Sequence, residues 1–245
     1  MRPNRPGRTS RQDPPPPPTE EPAVPRTDES VGSTDLATVQ DWVRTQRLEL
    51  ADLLDGLDQD AWQAQSLCAG WTVHDVAAHL TLASRTTARL VLLAAVRARG
   101  DFDRMNADLA RARARCFEPA DLTAQLRESA ASMRRAPGAG PTDLLVDVLV
   151  HGEDVARPLG RHRAVPVEAA LHALRYARRS RMYRNDRRLA GIRLVATDTD
   201  CSDGDGPHEL RGATIDLLLV ATGRAAGLAT LTGSGLDRVA ARMTP

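Results

Sequence analysis

The stretch CAGWTVHDVAAHL, residues 68–80, decides how this chain is read. Thr72 and Asp75 fit the Ser/Thr-x-x-Asp/Glu capping box, in which the hydroxyl takes a first-turn N–H and the carboxylate reaches back to the cap. Trp71 and Val76 then occupy the two positions of a hydrophobic staple, and Gly70 admits a sharp turn into the helix. The pattern predicts a long helix from Thr72 to about Arg99. At about 100° per residue, Val76, Leu82, Ala83 and Leu90 fall within roughly 60° of His79, whereas His74 shares the far side with Thr81, Ser84, Arg85 and Ala88. His79 is expected to face the core and His74 to face water. A core histidine is either hydrogen-bonded to a neighbour or a ligand, and this helix alone leaves both readings open.

A second polar patch lies in TDLLVDVLVHGEDVARPLG, residues 142–160. Thr142 or Asp143 is expected to cap a helix that Pro158 and Gly160 end. Leu144, Val148, His151 and Val155 share one side of it, with Asp147 and Asp154 within about 60° of His151, and Val146 and Leu149 lie on the other. A helix apolar nearly all round is an interior helix. A buried carboxylate without a partner costs several kcal/mol, roughly, so Asp147 must meet a cation or several donors. Asp147 and His151, one turn apart, have the geometry for two ligands to one ion, and His79 would complete a His₂-carboxylate set. An Asp–His hydrogen-bonded pair without metal fits the spacing equally. Asp154 is a further ligand or an acceptor for an imidazole N–H. Cys68 could approach the same end of the bundle, although an inert buried thiol is the simpler reading. No G-x-S-x-G elbow is present to support a nucleophilic triad.

Around these two helices the chain reads as mainly α. Its 245 residues are 42% hydrophobic but only 3% aromatic, a composition for Leu/Val/Ala helix packing. Residues 1–33, with PPPPP at 14–18, read as a disordered tail, with a polyproline docking peptide as the sharper alternative. Leu36, Val39, Val43, Leu50, Leu53, Leu54 and Leu57 mark a first helix, and a short helical turn is expected after Asp58. Two weaker amphipathic runs cover 101–116 and 119–135. A bundle over 34–160 is therefore followed by a basic helix (VEAALHALRYARRSRMYR), a strand in GIRLVATDTD, a turn at DGDG, a strand at HELRG and a helix in ATIDLLLVATGR. These predict a small α+β subdomain over 165–245.

A net charge of +1, from 33 basic and 32 acidic residues, supplies no global field for nucleic acid or membrane. Seven arginines between 175 and 188 form a local basic patch that a solvated helix face explains as well as nucleic acid does. Cys68, Cys116 and Cys201 have no C-x-x-C spacing and point to a reducing cytoplasm. No apolar run reaches transmembrane length.

GWTVHDVAAHL, DVLVHGEDVARPLG and LRGATIDLLLVATGRAAGLATLTGSG, taken in order over residues 34–245, resemble the mycothiol-dependent maleylpyruvate isomerase family. The resemblance implies a DinB-like four-helix-type bundle that binds a divalent metal, zinc above all, through His79, Asp147 and His151. Asp147 stands where the family's isomerase has Glu. It further implies mycothiol as a thiol cofactor and a small electrophile as substrate. Arg224 in ATGR matches an arginine that could bind a carboxylate of substrate or thiol, or, on its own merits, the dipole of a helix C-terminus. Two functions remain open at this level. One is a metal-dependent thiol transferase or thiol-assisted isomerase, and the other a non-catalytic binding protein that senses metal or thiol.

Overall fold

The computed structural model describes Met1 and residues 34–243 other than Pro137 and Arg184. The expected tail and its polyproline run lie outside the described residues. Helix α1 (Leu36–Asp55) starts where Asp35 accepts from Thr38 N–H at 2.7 Å, and it buries Val39, Val43, Leu50, Ala51 and Leu54 in one stripe. The short α2 (Gln59–Gln63) follows Asp58, which caps it. A chain segment then folds back, with Gln65 bridging Thr72, and leads into α3 (Val73–Leu82).

The capping box at Thr72 and Asp75 is formed in both directions, and Trp71 packs in the same apolar cluster as buried Val76. The long helix expected from Thr72 to Arg99 is instead two. After Leu82 the chain breaks, and α4 (Ala88–Arg97) begins afresh. Hydroxyls cause this: Thr86 Oγ1 donates to the Leu82 carbonyl at 2.7 Å, and Thr87 Oγ1 accepts from Leu90 N–H, capping the new helix. Helix α5 (Phe102–Ala114) packs on α3 and α4. Helix α6 (Pro119–Glu128) stops seven residues short of the expected 135, because Arg47 of α1 takes the carbonyls of Ser129, Ala130 and Ser132.

Helix α7 (Pro141–Ala156) is the interior helix the pattern called for. It buries Leu144, Leu145, Val146, Val148, Leu149, Val150 and Val155, and it packs on α1, α3 and α8 (Val167–Arg179). Its cap is Gly140, not Thr142 or Asp143. Pro141 takes the first helical position, where no N–H is needed, and Asp143 reaches back to Gly140 N–H at 2.7 Å.

The short α9 (Asn185–Arg188) leads into a three-stranded sheet of β1 (Ile192–Ala196), β2 (Cys201–Asp203) and β3 (His208–Gly212). The order is β2-β1-β3, with β1 antiparallel to β2 and parallel to β3. Strand β2 was not expected: its three residues run into DGDG, whose first residue is Asp203, and carry no alternation of their own. Gly206 sits where a Cβ would come within 2.1 Å of the Gly191 backbone, so this close approach admits no side chain. Helix α10 (Thr214–Ala221) packs on α8, and α11 (Leu236–Met243) ends the described chain. One apolar cluster joins Val39 and Val43, Leu145 and Leu149, Leu174, Ile192, Leu194 and Leu217–Val220, so α1 and α7 are packed directly against the sheet-bearing half. Among the described residues no helix is long and apolar enough to cross a membrane.

Candidate metal centre

Helix α3 carries His79 in its last turn, and α7 carries Asp147 and His151 one turn apart. The packing of α3 on α7 brings the three together. His79 Nε2 lies 3.3 Å from Asp147 Oδ1, and His151 Nε2 lies 3.5 Å from the same oxygen. One donor atom from each residue falls within 4.8 Å of the others. The side chains are 17%, 26% and 12% exposed, so a small molecule can reach them while bulk water is largely held off.

Trp71, placed by the staple, walls the site. Its ring lies nearly parallel to that of His151 (6°, centroids 6.3 Å apart) and edge-on to His79 at 5.3 Å. The two imidazoles are 4.8 Å apart. His74, expected to face water, is half-buried: its Nε2 is 3.0 Å from the Phe117 carbonyl and its ring meets Trp62 edge-on at 5.7 Å. The expected water-facing side of α3 is not one: α2 and the segment before α6 cover it, and Thr81, placed on the same side, is fully buried.

The electrostatics keep both carboxylates of the cluster ionised. Burial would push the Asp147 carboxyl up, but the hydrogen bond with His79 and the charges of His79, His151 and Arg47 outweigh it and hold the carboxyl below its ordinary range. Asp154, fully buried, is likewise held low: burial is overcome by the His151 hydrogen bond and by Arg224. An ionised carboxylate only accepts, so the 2.9 Å contact between Asp154 Oδ2 and His151 Nδ1 requires the proton on Nδ1. Nε2 is then the ring nitrogen that faces Asp147, 3.5 Å away, and the one a metal would take. This carboxylate–imidazole pairing is the support that orients metal-binding histidines. His79 Nδ1 is buried and has no hydrogen-bond partner among the described residues.

Arg224 follows α10. Its Nε and Nη2 donate to Asp154, at 3.2 Å to Oδ1 and 2.9 Å to Oδ2, and its Nη1 donates to the Thr222 carbonyl at 2.8 Å. Cys68 completes this cluster. Its Sγ donates to Asp154 Oδ2 at 3.1 Å and lies 3.7 Å from His151 Nδ1. Burial and the Asp154 charge push the thiol up to about 12, with Arg224 only partly opposing, so Cys68 is a neutral donor rather than a nucleophile. Its neighbourhood is set by Leu67 N–H, which donates to the Asp154 carbonyl at 3.0 Å and ties the segment before α3 to α7. Cys68, His151 and Asp154 also lie close enough to hold an ion. The Arg224 guanidinium already supplies the positive charge there, and His151 Nδ1 carries a proton. The Asp154–Arg224 pair spans 70 residues and left no spacing signal; only the position of Asp154 three residues after His151 hinted at it.

Three of the seven arginines of the basic patch are engaged within the fold, and Arg179, Arg181 and Arg187 are exposed. Arg175 donates to Cys201 Sγ, Arg178 pairs with Asp203, and Arg188 donates to the carbonyls of Tyr183 and Ala221.

Residues 43–175, more than half of the chain, match the mycothiol maleylpyruvate isomerase N-terminal domain. The chain belongs to that family. No curated protein has a significantly similar sequence. Two solved structures of similar fold are a mycothiol-dependent maleylpyruvate isomerase and a histidine-to-alanine mutant of it. Each has 17% identity and a TM-score of 0.53, with 82% of this chain and 93% of the other covered. At that identity the likeness is one of fold: the mainly α, DinB-like architecture with its small C-terminal sheet. Membership of the mycothiol maleylpyruvate isomerase family is carried by the sequence match.

Proposed function

We propose that this family member is a divalent-metal-dependent enzyme that uses a low-molecular-weight thiol, mycothiol, on a small electrophile. The observation that carries the proposal is the convergence of His79 Nε2, Asp147 Oδ1 and His151 Nε2 on one partly exposed point. Two imidazoles and one carboxylate suit zinc and leave room for further ligands. A divalent cation held there would lower the pKa of a coordinated thiol and so supply a nucleophile at neutral pH.

The chain's own residues do the rest. Asp154 holds His151 in the Nδ1–H tautomer, and Arg224 keeps Asp154 ionised. Trp71 walls the site with a flat apolar surface. Arg224 has one Nη1 hydrogen beyond those given to Asp154 and Thr222, and we assign it to a carboxylate of the substrate or the thiol. Asp147, shorter than the Glu of the related isomerase, favours a compact set drawn close to α7. In the isomerisation the thiol sulfur adds to an activated double bond, the carbon–carbon bond rotates, and elimination returns both thiol and product. Thiol transfer stops after addition, with the proton the thiol lost returned to the carbanion.

The test is incubation of metal-loaded protein with mycothiol and a panel of electrophiles, including cis-configured unsaturated acids. Product formation that falls at least about 100-fold in His151→Ala supports the enzyme. Metal binding without any turnover makes the protein a sensor of metal or thiol instead.

A further inference from the structure

Among the described residues, α4 is the one helix of ten or more residues whose outward face is apolar. Leu92, Leu93 and Val96 lie on one side of it, 65%, 53% and 71% exposed, and Leu90 and Phe102 add to the patch at 38% and 54%. α4 packs chiefly on α5, and nothing among the described residues covers the outer stripe. Globular chains leave single large apolar side chains in water freely, but not five within thirteen residues.

We propose that this face pairs with the same face of a second copy of the chain, the two α4 helices running antiparallel about a two-fold axis between Leu93 and Val96. Three observations choose a second copy as the occupant. The first is area: the five side chains expose on the order of 500 Å² per chain, so a symmetric pair that covered all of them would bury about 1,000 Å², the size a specific interface has to reach. The second is reciprocity. Antiparallel pairing sets Leu93 against the partner's Val96 and Val96 against the partner's Leu93, which is how a self-complementary contact must be built. The third is charge. Arg89, exposed at the start of α4, is brought to the end of the partner helix, where the last carbonyls and the exposed Asp101 and Asp103 are negative. Exposed Arg97 and Arg99 lie at that end as well, and long arginine side chains at the rim of an interface can keep their heads in water.

Sedimentation equilibrium of the full chain up to about 100 µM tests this. The expected result is a mass rising with concentration towards twice the 26.5 kDa of one chain. Leu93→Glu and Val96→Glu should each weaken the dimer at least about tenfold with an unchanged circular dichroism spectrum, because both sites are exposed. Arg89→Glu should weaken it as well, and Asp103→Arg in the Arg89→Glu background should restore it. A monomer throughout the range overturns the proposal, as does a dimer indifferent to Leu93→Glu. So does a monomer that sediments with phosphatidylglycerol vesicles through this face.

Discussion

Replacing Asp154 by Asn separates the two tasks this residue performs. Its side chain is fully buried and receives Arg224 Nε and Nη2, His151 Nδ1 and the Cys68 thiol. Asn keeps the shape but removes the charge, and its NH₂ faces donors where an acceptor is needed. Breaking a buried ion pair from one side costs about 3–5 kcal/mol, and Arg224, still 20% exposed, places the expected loss near the lower end, about 3 kcal/mol. In urea unfolding with a slope of about 2 kcal/mol/M, the midpoint falls by about 1.5 M. The second loss is in ligand orientation: without a fixed Nδ1–H acceptor, zinc affinity falls about 10–100-fold. A companion variant, Asp154→Leu with Arg224→Met, should regain most of the stability, because no charge is left unpaired, but none of the zinc affinity. Full zinc affinity in Asp154→Asn would refute the orienting role. A stability loss under about 1 kcal/mol would refute the buried pair.

Other consequences are quickly checked. With Trp42 and Trp62 replaced by Phe, the remaining Trp71 should lose most of its fluorescence on Co²⁺ addition, since its ring stacks on His151; an unchanged signal would place the ion elsewhere. Tyr176 donates to Asp143 at 2.7 Å, and burial with that carboxylate pushes its phenol up to about 12. Because the folded value lies above the unfolded value of about 10, this stabilisation is complete below pH 10 and disappears as the pH rises towards 12. Tyr176→Phe should therefore cost about 1 kcal/mol at pH 8 in urea unfolding, and the gap from wild type should close above pH 11. Thr72→Ala removes one arm of the capping box and should cost about 1 kcal/mol, read from the same unfolding curves.

How far the sequence could be read depended on whether a feature was local. The capping box, the interior character of α7 and the shared side of Asp147 and His151 follow from spacings of three and four residues, and the structure contains each. His79 could be aimed at the core from its own helix. Its meeting with Asp147 depends on α3 packing against α7, which periodicity suggests but does not measure. The break between α3 and α4 came without Gly or Pro; the hydroxyls of Thr86 and Thr87 made it by competing for backbone groups. The partial burial of His74 comes from residues on other elements, Trp62 and Phe117. The parallel pairing of β1 with β3 and the reach of Arg224 to Asp154 are tertiary facts, and no local pattern encodes them.

The most direct measurement is the metal content of the purified chain set beside that of His79→Ala, Asp147→Ala and His151→Ala. If the three residues form one ligand set, the native chain carries about one divalent ion, zinc foremost, and each variant loses it while remaining folded. A native chain free of metal even after incubation with zinc, or variants that keep the native content, would contradict it.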